Sequence, residues 1–502
     1  MGVMSPDGAR GPVTSVDMTP RAAEQELRSR LHDAGACVVL GGADLGGHLT
    51  GGKLLRGRLT LLVSAVEGGV VREGAIRGAT ALELVHAGAL CHDDVTDGSD
   101  TRRGRPTVAA EHGAEAALLS GLALIVRAAA LVATEPLATR RLVARAIRDV
   151  ARGQTDEVGD LFVESISPEA YLRRAYAKTG ALYELAGCLG AAAGALSGSA
   201  ADAVRQFAAG VGVAFQLADD LRDLVGGAEL GRAAGTDLRE GVYTLPVLLT
   251  LSGRCHGADA LAQALREPWK QDSVARCVAI LRHNGALEQT ARVAADAVRD
   301  AVALLRRFPT SAITAELEML ARGVLVSTPL GDVGAPTDVS AARRAVATSH
   351  LPLIANVLAD LQHRPPHLIR AALERFEHHL PAGTDPRSAD VRALASAIGL
   401  TIELRLLARE VDVGAGDVAL RVGAIDLLVA ELFGLLATMS EALAVAVIDP
   451  SVTFFTQAAT GAVAESRPGN DHDAILAMAD AVGRRAAAVF ASLPERAQST
   501  LR

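Results

Sequence analysis

His92-Asp93-Asp94-Val95-Thr96-Asp97 decides how this chain is read, and Phe215-Gln216-Leu217-Ala218-Asp219-Asp220-Leu221-Arg222-Asp223 is its counterpart. Each sets a DDxxD cluster in an Ala- and Leu-rich run with helical periodicity. Asp93 and Asp97 are four residues apart, so they share one helix face with Asp94 beside them. Like charges at that spacing destabilise an isolated helix by about 0.2–0.5 kcal/mol, and the same cost recurs at Asp219, Asp220 and Asp223. A bound cation offsets it. Hard oxygen ligands with no His or Cys cluster nearby suit Mg²⁺, which keeps several waters and binds through a few carboxylates plus substrate phosphates. For one cluster alone, a solvated acidic helix end is an equally good account. Two clusters, each ending an apolar helix and each with basic residues close by, favour the metal.

The rest of the composition agrees with a helical enzyme. Half of the residues are hydrophobic but only 3% are aromatic; alanine, leucine and valine carry the apolar content, which favours packed helices over sheets. A formal charge of −8 and the lack of a basic tract argue against a nucleic-acid binder. The five cysteines show no metal-ligand spacing and read as reduced thiols, which predicts a cytoplasmic protein. The first 20 residues lack the basic start and apolar run of a signal peptide and read as a disordered tail. The apolar stretch 424–448 is interrupted by Asp426, Glu431 and Glu441, as in a buried or interface helix rather than a membrane span. Lysine is rare: Lys53, Lys178 and Lys270 are the only three, and the first two fall in motifs.

From 21 to 327 the periodicity predicts helix after helix: 21–36, 53–67, 75–97, 114–133, 142–158, 168–193, 200–224, 244–251, 273–284, 287–308 and 311–326, with a Gly-rich loop at 226–240. No alternating run predicts a strand. Pro, Gly and Asp mark 328–340 as a linker, and 341–502 reads as a second all-α domain with helices at 341–361, 366–379, 390–410, 415–446 and 474–492. Parts of it, at 395–411 and 423–428, suggest a degenerate partial repeat of the first domain, without the acidic cluster, arginine pair or glycine-lysine motif.

The first acidic stretch continues into Arg102-Arg103-Gly104-Arg105-Pro106-Thr107 and is preceded by Glu83-Leu84-Val85-His86. Together these resemble the first aspartate-rich motif of the all-trans polyprenyl diphosphate synthases, and the 215–223 stretch resembles the second. Gly51-Gly52-Lys53-Leu54-Leu55-Arg56 resembles the family's GGKRxRP, Lys178-Thr179 its Lys-Thr pair, and Gly235-Thr236-Asp237 through Thr244-Leu245-Pro246 the segment after the second motif. The five motifs occur in the family's order over residues 21–327.

The resemblance implies an all-α isoprenoid-synthase bundle with a central cavity. It also implies condensation of isopentenyl diphosphate with an allylic diphosphate by ionisation, attack of the double bond and proton loss. Asp93, Asp97, Lys178 and Asp219 would be catalytic. Asp93, Asp94, Asp97, Asp219, Asp220 and Asp223 would hold Mg²⁺, about three ions per site with diphosphate bound. Arg102, Lys178, Thr179 and Gln216 would bind the allylic diphosphate, and Lys53, Arg56, His86 and Arg103 the isopentenyl diphosphate. The small Gly88 and Ala89, five and four residues before Asp93, would leave the tail tunnel open and give a product longer than farnesyl. A homodimer is implied, with membrane contact on product release as a further expectation. Leu54, Gly57 and Val242 stand where the family carries arginine, proline and lysine, with Arg58 as partial compensation. The alternatives are a class I terpene cyclase, which lacks this form of second motif, and a non-catalytic regulatory subunit, which would lose carboxylates.

Overall fold

A computed structural model describes residues 17–492 apart from 41–42, 226–234, 267–270, 326–365, 382–383, 386–387, 412–417 and 464–470. The linker at 328–340, the helix at 341–361 and all but the end of the tail at 1–20 lie outside the described residues. The described end of that tail is tied down: Met18 pairs with Val71 in an isolated antiparallel bridge.

The described residues are overwhelmingly helical. The first part runs α1 (Pro20–Ala36), β1 (Val39–Leu40), β2 (Ala43–Asp44), α2 (Gly46–Thr50), α3 (Leu55–Ser64), α4 (Glu73–Thr96), β3 (Thr101–Arg102), β4 (Arg105–Pro106), α5 (Val108–His112), α6 (Ala114–Ala133) and α7 (Leu137–Gly159). It continues with α8 (Pro168–Ala175), a π-helical turn (Tyr176–Gly180), α9 (Ala181–Ala193), α10 (Gly198–Val225), α11 (Thr236–Glu240), α12 (Leu245–Leu251), α13 (Ala258–Leu265), α14 (Gln271–His283), α15 (Ala286–Leu304) and α16 (Ala312–Gly323). Beyond the undescribed stretch come α17 (Pro366–His378), α18 (Ala389–Arg409), α19 (Val418–Thr438), α20 (Glu441–Val463) and α21 (Asp471–Ser492).

Local chemistry sets many of these boundaries. Thr19 and Ser167 accept hydrogen bonds from the N–H groups of Ala22 and Ala170, and each is followed by a proline at the first helical position. Ser311 and Thr314 form a capping box ahead of α16. The run expected at 415–446 is two helices, broken between Thr438 and Glu441. Two two-residue antiparallel ladders, β1–β2 and β3–β4, form the sheet among the described residues; they are too short to produce an alternating pattern. In β3–β4 the turn residues Arg103 and Gly104 both have positive φ, 54° and 75°. That is the geometry of a tight primed hairpin turn, and it places the arginine pair close to the C-terminal end of α4.

The most extensive helix pairing is α4 with α6; α3 and α9 pack on α4, and α10 packs on α9 and α15. The close approach of α4 and α6 depends on glycine. A Cβ on Gly88 would lie 2.5 Å from Ile125 Cγ1, and one on Gly121 would lie 2.6 Å from the His92 ring.

The C-terminal helices pack directly on these elements. α20 runs along α6, α19 lies on α7 and touches α4 and α6, and α17 pairs with α21. Buried side chains from Ala23 through Phe490 form one continuous hydrophobic core, while a second cluster gathers around α8, α10 and α12–α15. Polar ties cross the same junction: Arg405 donates to Glu115 at 2.5 Å, and Arg140 donates to the Met439 carbonyl at 2.5 Å. Among the described residues two helical stretches, Ala114–Ala133 and Glu441–Thr460, are long and apolar enough to cross a membrane; the most apolar window of the first is 83% buried in this core.

Because the core is shared, a cavity in the C-terminal helices weakens the whole molecule. Phe455 is fully buried in it, and Phe455→Ala is expected to cost about 3–5 kcal/mol. Urea unfolding followed by circular dichroism should show one shifted transition for the entire helical signal.

Candidate active site

A cavity of about 1260 Å³ opens between α3, α4, α7, the π-helical turn, α10 and α16. Asp93 from the last turn of α4 and Asp97 at its C-cap line it, and so do Asp219, Asp220 and Asp223 from the end of α10. Both clusters occupy helix C-termini, where the aligned peptide dipoles already place partial negative charge. Burial pushes the Asp93 carboxyl above its ordinary value. Burial and then the neighbouring Asp93 push Asp97 up to about 7. Burial likewise raises Asp220 to about 7, against hydrogen bonds from Tyr171 and Gln216. Asp223 is raised by burial although the N–H groups of Thr236 and Asp237 each donate to it at 3.1 Å. Among the described residues no three His, Cys, Asp or Glu side chains form a cage for a metal by themselves. An oxygen-only donor set that destabilises its own ionised form fits a hard cation such as Mg²⁺, with water and phosphate oxygens completing its shell.

Lys178 and Thr179 reach the cavity from the π-helical turn, a distortion frequent at functional sites. Burial alone would lower the Lys178 pKa, but Glu157, Asp93 and Asp97 together raise it above the ordinary lysine value. Its ammonium lies 2.5 Å from Glu157, whose carboxyl Lys178 and Arg174 hold below the ordinary range against the effect of burial. Thr179 donates to Gln216 at 2.6 Å, Gln216 donates to Asp220 at 2.8 Å, and the Tyr171 hydroxyl donates to the same Asp220. Asp219 is largely exposed and pairs with Arg222 at 2.7 Å.

Asp94 departs from its expected place. It is buried and off the cavity wall, accepting from the Arg102 guanidinium at 2.7 and 2.8 Å. One turn of helix cannot aim three consecutive-face carboxylates at one point, and Asp94 instead fixes Arg102, which does line the cavity.

Lys53, Arg56, His86 and Arg103 form a second group on the same cavity. The Arg56 guanidinium stacks 4.8 Å above the Tyr183 ring, and its buried Nε has no hydrogen-bond partner among the described residues. Arg103 packs against Gly52, where a Cβ would lie 2.4 Å from its guanidinium. Burial, then Arg56, Arg103 and Arg102, holds His86 well below its ordinary pKa, so it stands as a neutral ring among cations. Gly57 donates its N–H to buried Glu83 at 2.7 Å. Arg58 pairs with Glu24 at 3.2 Å on the cavity rim, so part of its charge is already balanced there. Val242 lines the cavity as an apolar residue.

Ala89 lines the cavity with Leu90, Val150 and Leu182. Gly88 does not: it faces α6 against Gly121 and Ile125, so its smallness serves helix packing rather than tunnel width. Sequence reasoning missed Glu157, Tyr171, Asp237 and Asp426 among the cavity residues. A lone Glu in a helix and a lone Tyr after a cap carry no signal. Asp237 stands inside a recognised motif, and its position after the second acidic cluster was a usable hint.

The chain matches a family model described as polyprenyl synthetase over residues 45–281. It is 32% identical over 264 residues to an octaprenyl diphosphate synthase of Haemophilus influenzae, covering 52% of this chain and 80% of that one. It is 35% identical over 261 residues to a nonaprenyl diphosphate synthase of Mycobacterium tuberculosis, covering 52% and 71%. The chain belongs to the polyprenyl synthetase family. It is a chain-elongating prenyltransferase with the all-α fold of that family. A crystal structure of a polyprenyl synthase from Caulobacter crescentus CB15, complexed with calcium and isoprenyl diphosphate, superposes with a TM-score of 0.55 at 29% identity. It covers 61% of this chain and 94% of that one. Helices α17–α21 lie outside the residues the family model matches.

The raised carboxyls predict an unusual pH response. In the unfolded chain Asp97 and Asp220 lose their protons near pH 4; in the folded protein they do so at about 7. Without divalent cations, stability therefore falls as pH rises from about 4 to about 7 and then levels off. Scanning fluorimetry should show that fall, and MgCl₂ with inorganic diphosphate should diminish it.

Proposed function

We propose that the enzyme condenses isopentenyl diphosphate with an allylic diphosphate in this cavity, with Mg²⁺ at the two aspartate clusters, and makes an all-trans product longer than farnesyl. The observation that carries the reading is the division of one cavity into two charged groups. Asp93 and Asp97 face Lys178, with Asp219, Asp220 and Asp223 on the same cavity, while Lys53, Arg56, His86 and Arg103 form a cationic group whose neighbouring carboxylate, Glu83, is taken up by the Gly57 N–H and the arginines. Two diphosphates, one metal-bound and one held by cations alone, match that division.

Each part of the chain then has a task. Lys178, Thr179, Gln216 and Arg102 orient the allylic diphosphate, the arginine by its planar fork and the lysine as a point charge. Mg²⁺ held by the aspartates supplies Lewis-acid stabilisation of the charge that develops on the departing diphosphate. Arg56, with an unpartnered buried Nε, joins Lys53 and Arg103 in fixing the second diphosphate. Neutral His86 donates or accepts a hydrogen bond there without adding charge. Leu90, Leu182 and Phe215 keep water from the reacting carbons. The tail extends past Ala89. The names of the octaprenyl and nonaprenyl synthase relatives support a long product.

Incubation of the purified chain with Mg²⁺, isopentenyl diphosphate and one allylic primer at a time, followed by dephosphorylation and sizing of the alcohols, tests the proposal. Cyclic hydrocarbon formed without isopentenyl diphosphate would sink it. Asp93→Asn and Asp219→Asn should each lower kcat by about 10²–10³-fold. Ala89→Phe should shorten the main product with the metal requirement unchanged; an unaltered distribution would remove Ala89 from the tail path.

A further inference from the structure

Among the described residues, the C-terminal helices reach the active site through one side chain. Asp426, on α19, lines the cavity beside the aspartate-rich end of α4. Its carboxylate lies 2.6 Å from His92 Nδ1, and His92 Nε2 faces the Leu118 carbonyl on α6 at 3.2 Å. His92 is 1% exposed. Its ring passes between α4 and α6 through a gap that exists because residue 121 is glycine. A single imidazole thus joins α4, α6 and α19, and both of its nitrogens meet acceptors.

The tie falls at a sensitive place. His92 is the residue immediately before Asp93, just ahead of the last turn of α4 (Glu73–Thr96). Helix ends fray, and this one carries Asp93, Asp94 and Asp97 at the negative end of its dipole. Beyond it the backbone is held by the Asp97 N–H to Asp93 carbonyl bond and by the Thr96 hydroxyl to His92 carbonyl bond. Where α4 meets α6 at this level, Gly88 receives the Ile125 side chain and Gly121 receives the His92 ring. Asp426 is also near enough to Asp93 to rank among the charges acting on it.

We propose that Asp426 is a positioning residue for the metal end of α4: through His92, the C-terminal segment sets where Asp93 and Asp97 stand, so the cation-diphosphate site is built by both parts of the chain. The inference rests on the reading of Asp93 and Asp97 as that site. It assigns the C-terminal helices a part in the chemistry beyond covering α6 and α7.

The test uses the full chain, Mn²⁺ as the probe and inorganic diphosphate as its co-ligand, with binding followed by electron paramagnetic resonance. Asp426→Ala should weaken Mn²⁺ binding about tenfold, as loss of an outer-sphere orienting partner does elsewhere. kcat should fall in step, and the KM for isopentenyl diphosphate should move by less than about twofold. Asp426→Asn keeps the shape and one acceptor oxygen and should lie between Asp426→Ala and the parent chain; it carries the test if the alanine variant does not fold. Parental Mn²⁺ affinity in the folded Asp426 variants overturns the inference. Parallel loss of Mn²⁺ and isopentenyl diphosphate affinity also overturns it, because that is the signature of a general packing role. Asp93→Asn separates the two claims: if it retains parental Mn²⁺ binding, the site reading itself fails, whereas its loss beside unchanged Asp426 variants refutes the role of Asp426 alone.

Discussion

Negative charge concentrated at two helix C-termini is the constraint around which this structure is arranged. α4 and α10 end in aspartates where their dipoles oppose further anions, and burial raises the cost of ionising Asp93, Asp97, Asp220 and Asp223. The surrounding elements answer that charge. The π-helical turn supplies Lys178, the β3–β4 hairpin supplies Arg102, and the N–H groups at the start of α11 cap Asp223. The negative charge they leave unbalanced is what the proposed divalent cation would offset.

The second constraint is close packing between α4 and α6. Glycines at 88 and 121 bring the two backbones together and leave a passage for one imidazole. α19 and α20 then cover the outer faces of α7 and α6 with apolar side chains that join the same core. The Arg405–Glu115 pair ties α18 to α6 but adds little net stability, since a buried pair gives back in desolvation much of what it gains. The His92–Asp426 contact connects this packing to the chemistry.

The fold and the acid clusters were legible because they depend on local patterns. Periodic alanine and leucine specify helices, capping residues mark their starts, and paired DDxxD clusters announce carboxylates on one face. Gly51-Gly52-Lys53 and Lys178-Thr179 were legible for the same reason: the residue types carry their chemistry with them. The role of Gly88 was misread because a glycine beside a cavity and a glycine between two helices look alike in one dimension. Asp94 was misread because its spacing permits either a metal or Arg102, and only the hairpin turn decides between them.

The sequence by itself determined the helical elements, the two acidic helix ends, the basic motifs and the family to which they point, since each is written within a few turns of chain. Tertiary structure alone decided which carboxylates share a cavity and which are tied to arginines. It also decided that Glu157 balances Lys178, that α17–α21 merge with the catalytic core, and that Asp426 stands next to His92. Those pairings join residues as far apart as 92 and 426. Contacts at that separation depend on how helices pack, and a single sequence carries no local signal for them.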